Sequence, residues 1–135
     1  MSFFRKSPHE WLAAEVIAAR PEVEQRLIDQ MLNGKLPPTV REWDAGTNLF
    51  KQGFFAQAVH LVLAGEVVVT VDDDEVARLG PGSVIGEMAM LGKRRRTGTV
   101  TAVLPTTIAS IGESKVDRED LRALAAARGL TTSDD

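Results

Sequence analysis

A chain of 135 residues, 44% of them hydrophobic and 26% charged, holds enough apolar material for one modest core and no run long enough to span a membrane. Its net charge of −3, from 16 basic and 19 acidic residues, argues against a broad surface for nucleic acid, so direct DNA binding is not expected. The chain contains no cysteine, which excludes disulfides, thiolate catalysis and cysteine-type zinc sites and fits a cytoplasmic protein.

The first third, residues 1–36, reads as two helices. Ser7 and Pro8 resemble an N-cap and first-turn pair, with Trp11, Leu12, Val16 and Ile17 following at near-helical spacing. Pro21 restarts the chain, and Val23, Leu27, Ile28, Met31 and Leu32 lie on one side of a second helix that Asn33-Gly34 and Pro37-Pro38 end. From Thr39 short β segments take over: Val40–Trp43, Leu49–Lys51, Val59–Leu63, Val67–Val71, Glu75–Leu79, Thr99–Val103 and Thr107–Ile111. Ala64-Gly65-Glu66 reads as a link between two paired antiparallel strands, and Asp72-Asp73-Asp74 as a solvated tight turn. A final helix spans 117–128 with Leu121, Leu124 and Ala125 on one face, and 131–135 reads as a disordered tail. Strands recurring about every eight to twelve residues, with Gly or Pro between them, predict an antiparallel sandwich or barrel rather than βαβ units.

The chemistry lies between Gly80 and Val100. Gly86 permits a close backbone approach, and Glu87 to Leu91 is long enough for one helical turn whose free amides suit a phosphate. An arginine from the basic loop Lys93-Arg94-Arg95-Arg96 adds a fork of donors, and Thr97 a hydroxyl. Glu87 is wrong for a plain anion site but right for a ligand that also offers hydroxyls, because a carboxylate accepts from a ribose 2′-OH. Phosphate donors beside a hydroxyl acceptor describe a nucleotide whose phosphate lies close to its sugar, as in a 3′,5′-cyclic nucleotide.

Gly86-Glu87-Met88-Ala89-Met90-Leu91 followed by Arg96-Thr97-Gly98-Thr99-Val100 resembles the phosphate-binding cassette of cyclic-nucleotide-binding domains. The resemblance extends to Glu42–Thr47, like the family's opening β segment, and to Leu61–Val67, like its central hairpin. It implies a mainly β fold with flanking helices: an antiparallel, jelly-roll-like β-roll over 38–112 with its cassette at 86–100, two N-terminal helices, a short phosphate-binding helix and a C-terminal helix, all in a single domain over 1–135. It also implies a shell of Gly86, Glu87, Met88, Ala89, Arg96 and Thr97, with Glu87 on the ribose and Arg96 on the phosphate. Thr97 is compatible with cAMP and with cGMP. Arg95 takes the ligand role if the loop shifts by one, and Gly98 stands where the family usually has Ala, which loosens the backbone there.

Neither a nucleophile elbow nor a Walker-type loop is present, so no enzyme is expected. His9 and His60 lack metal-ligand spacing, and His60 reads as a packed or half-exposed strand residue. The expected function is a stand-alone sensor in which the ligand repositions the final helix, whose apolar face would meet a protein effector or a second copy. The alternative is a ligand-free β-roll that binds other proteins. The residues after the final helix leave no room for a helix-turn-helix, so any effector domain is expected elsewhere.

Overall fold

Short β segments from Thr39 onward, with Gly or Pro between them, build mainly antiparallel β-structure with flanking helices, as the residue pattern predicts. The computed structural model describes residues 8–54, 56, 58–86 and 96–128. Among these, three helices precede the sheets: α1 (Pro8–Trp11), α2 (Ala14–Ala18) and α3 (Glu22–Asn33). The strands are β1 (Thr39–Trp43), β2 (Asn48–Phe50), β3 (Ala58–Ala64), β4 (Val67–Val71), β5 (Asp74–Leu79), β6 (Val84–Ile85), β7 (Thr99–Ala102) and β8 (Thr106–Gly112). A short 3₁₀ turn, Glu113–Lys115, leads to α4 (Arg118–Ala127).

The expected first helix is split. Ala13 is extended (φ −64°, ψ 147°), and the break sends Leu12, 3% exposed, into the core with Leu27 and Ile28. Asp117 caps α4, its Oδ1 accepting from the Glu119 and Asp120 amides at 2.7 and 3.1 Å. The expected cassette helix at Glu87–Leu91, the loop residues Lys93–Arg95 and the tail lie outside the described residues.

The strands form two four-stranded sheets, ordered β1-β8-β3-β6 and β2-β7-β4-β5, with antiparallel pairing throughout. The expected pairing of the strands on either side of Ala64-Gly65-Glu66 does not occur, since β3 belongs to the first sheet and β4 to the second. That segment is a corner between layers. Gly65 makes the corner possible: its φ is +93°, and a Cβ there would lie 2.4 Å from the Pro105 carbonyl oxygen. The tight turn at the aspartates is a genuine hairpin, with Val71 opposite Asp74 and with Asp72 and Asp73 both at positive φ (51° and 71°), as a primed two-residue turn requires.

The first sheet is covered on both faces. Val59, Leu61 and Leu63 of β3 pack towards Leu27, Ile28, Met31, Leu121 and Leu124 of α3 and α4. Val62 points the other way, into a smaller cluster with Val67, Ile85, Val100 and Ile108. By strand parity His60 shares the face of Val62 and so points between the sheets.

Candidate functional site

A cavity of about 590 Å³ opens between the second sheet and the segments at Gly86 and Arg96. Its apolar wall comes from Val69, Val71, Ala77, Leu79 and Val100, which alternate inward along β4, β5 and β7. Its polar side chains among the described residues are Arg96, Thr97 and Arg128.

Arg96 dominates the electrostatics. Its backbone is pinned to the turn at Gly53 and Phe54: the Arg96 amide donates to the Phe54 carbonyl at 2.8 Å, and Gly53 donates to the Arg96 carbonyl at 2.8 Å. The side chain then turns inward and is only 6% exposed. Nη2 donates to the Ala58 carbonyl at 3.2 Å and to His60 Nε2 at 2.9 Å. The guanidinium lies over the Phe50 ring, with Cζ 3.9 Å from the ring centroid. Nε and Nη1 are buried and have no hydrogen-bond partner among the described residues. No carboxylate pairs with Arg96 among the described residues, and burial lowers the guanidinium from its usual value to about 10. Among the described residues the buried cation thus lacks a counter-charge, an arrangement whose desolvation cost an anion would offset.

Gly86 is required where it stands. Its φ is +93°, and a Cβ would come 2.5 Å from Arg96 Nη1. The expected close approach at this glycine is thus made by the arginine's own nitrogen. Thr97 is exposed at the cavity edge. Glu87, Met88 and Ala89 lie outside the described residues, as does Arg95, the other candidate for the arginine role. Gly98, expected to slacken the backbone, is instead buried against β4, where a Cβ would lie 2.8 Å from the Thr70 carbonyl oxygen and 3.2 Å from methyl carbons of Val69 and Val71.

Three participants escaped the sequence reading. His60 is one; burial, and then the Arg96 charge, push its imidazole down to about 3, so it is neutral. Phe50 is the second, stacking on both His60 (centroids 5.3 Å apart, 28° between planes) and Arg96. The third is a clasp built on Glu24, 1% exposed, which accepts from Arg20 Nε at 2.9 Å through Oε1, and from the Val84 amide at 2.8 Å and Arg128 Nη2 at 2.7 Å through Oε2. Arg128 Nη1 in turn donates to the Val84 carbonyl at 2.7 Å. The pair thereby satisfies the outer edge of β6, two residues before Gly86, and ties the end of α4 to the cavity. A histidine sharing parity with Val62 was the available sign for His60; an acidic residue in a first helical turn gave none for Glu24.

A family model described as "Cyclic nucleotide-binding domain" matches residues 40–124. The chain is 32% identical over 79 residues to the cGMP-dependent protein kinase of Eimeria tenella, a match covering 58% of this chain and 8% of that one. Its fold is similar to that of the regulatory subunit of a cAMP-independent protein kinase A from Trypanosoma brucei, with a TM-score of 0.68 and 15% identity over 95% of this chain and 47% of that one. It is likewise similar to a solved structure described as "Sp-2Cl-cAMPS bound to PKAR CBD2", with a TM-score of 0.61 and 14% identity over 98% and 93% of the two chains.

Proposed function

The chain belongs to the cyclic nucleotide-binding domain family, and from that premise we propose that residues 1–135 form one binding and sensing domain for cAMP or cGMP. Arg96 takes the cyclic phosphate, joined by the Gly86–Ala89 amides and the Thr97 hydroxyl. Glu87 accepts from the ribose 2′-OH, and the base lies on the apolar wall of β4, β5 and β7. The observation that carries this reading is the buried Arg96 guanidinium, with Nε and Nη1 unpartnered among the described residues, beside an apolar cavity of about 590 Å³. An incoming phosphodiester supplies the missing acceptors and the missing charge through charge-assisted hydrogen bonds. Arg128 both lines that cavity and holds the end of α4, so ligand contact there would bias the position of the final helix towards or away from an effector or a second copy.

Calorimetric titration with both cyclic nucleotides tests the reading. The wild type is expected to bind at least one of them, Arg96→Ala to abolish binding and Glu87→Ala to weaken it. Wild-type affinity surviving in Arg96→Ala refutes the assignment. A second reading, a ligand-free interaction module, is favoured by one observation: Arg96 Nη2 is already engaged by Ala58 and His60. Absence of any thermal shift with either nucleotide would decide for it.

A further inference from the structure

We propose that His60 is the positioning residue for Arg96: an uncharged acceptor that fixes the guanidinium without neutralising it, leaving its whole charge to the anion. The inference rests on the reading of Arg96 as the phosphate ligand.

Guanidinium nitrogens only donate, so the 2.9 Å contact from Arg96 Nη2 requires a lone pair on His60 Nε2. The single imidazole hydrogen then sits on Nδ1, where Ser110 Oγ, at 2.7 Å, accepts it. His60 is thus held from both sides, between Ser110 of β8 and Arg96, while its ring stacks on Phe50. Burial disfavours the imidazolium and the neighbouring guanidinium disfavours it further, so the acceptor form persists through the neutral range. The second Nη2 bond goes to the carbonyl of Ala58, on the same strand. The β3 backbone and one side chain therefore occupy Nη2, and among the described residues Nε and Nη1 stay uncommitted.

The choice of residue type carries the argument. An apolar side chain at this inward position would leave Nη2 with the Ala58 carbonyl alone. A carboxylate would hold Arg96 more firmly, but it would cancel the charge that the anion needs and compete with it. A neutral imidazole supplies the geometry of a salt bridge without the counter-charge. An inward-facing imidazole between apolar neighbours on β3 is a costly placement unless both its nitrogens are used, and here both are.

The test titrates cAMP and cGMP into wild type, His60→Leu and His60→Gln at pH 7. Gln keeps an uncharged acceptor, whereas Leu keeps the volume and loses the acceptor. His60→Leu is expected to raise Kd about ten- to hundredfold, the range for losing a hydrogen bond to a charged group, with His60→Gln within about threefold of wild type. Nitrogen-15 spectra of the ligand-free wild type are expected to show Nδ1 protonated and Nε2 bare, a readout that needs no variant to fold. His60→Leu binding like the wild type, His60→Gln falling as far as His60→Leu, or the opposite tautomer each overturns the inference. A wild type that binds neither nucleotide sinks the reading of the whole site; a binding wild type with an unaffected His60→Leu sinks only the role of His60.

Discussion

Arg96→Met removes the guanidinium but keeps an unbranched side chain against the Phe50 ring, where a thioether packs well. In the unliganded protein this change is expected to be close to neutral. Burial lowers the arginine from its usual value to about 10, and at ~1.36 kcal/mol per unit that displacement is at most roughly 3 kcal/mol held against the folded, charged form. The substitution forfeits two hydrogen bonds from a charged donor, to Ala58 and His60, worth about 1.5 kcal/mol or more each. The two effects roughly cancel, so Tm should stay within about 4 °C of wild type for a chain of this size. Urea unfolding with and without cyclic nucleotide is the assay. Wild type should gain about 2.7 kcal/mol at a ligand concentration of a hundred times Kd, whereas Arg96→Met should gain nothing while starting from a similar baseline. A cation kept for its ligand rather than for the fold behaves this way. An unliganded Arg96→Met that loses more than about 2 kcal/mol would refute the reasoning, because it would make the arginine a structural cation already satisfied by the fold.

Glu24→Gln takes the charge from a buried carboxylate that two guanidiniums and an amide surround, so stability should fall by about 3–5 kcal/mol, read as a lower urea midpoint at unchanged m. Gly65→Ala places a methyl 2.4 Å from the Pro105 carbonyl oxygen at a φ of +93°; a loss of about 2–3 kcal/mol in the same assay is expected. Gly98→Ala restores the residue type usual in the family but meets the Thr70 carbonyl oxygen at 2.8 Å, so a loss of about 1–2 kcal/mol is expected in calorimetric unfolding. His60 is neutral in the folded state down to about 3, through burial and then the Arg96 charge, while the unfolded chain protonates it near 6.5. The unfolded state therefore binds more protons between these values, and stability should fall as pH drops below 6.5, approaching about 1.4 kcal/mol per pH unit. Comparing wild type with His60→Leu at pH 7 and pH 5 isolates this contribution, since the variant lacks it.

Much of this protein was legible before any tertiary contact was known. The apolar runs Val59–Leu63 and Val67–Val71, the aspartate turn and the apolar face of Leu121, Leu124 and Ala125 are local patterns, and each corresponds to an observed element. The motif around Gly86 and Arg96 was equally local, and it led to the family that the matched residues 40–124 establish. Tertiary structure decided the rest. The chain around Gly65 reads as a hairpin from its residues alone, and only the packing of Pro105 and Thr106 against that glycine turns it into a corner between sheets. The split between α1 and α2 answers to the burial of Leu12, not to a breaker residue. Most decisive are the polar contacts that cross the chain, with Arg96 reaching His60 across 36 positions and Arg128 reaching Glu24 across 104. Backbone periodicity reports which side of an element is apolar over a few residues. A charged group buried against a distant partner leaves no periodic trace, because its stability depends on a counterpart that only the completed fold brings within hydrogen-bond distance.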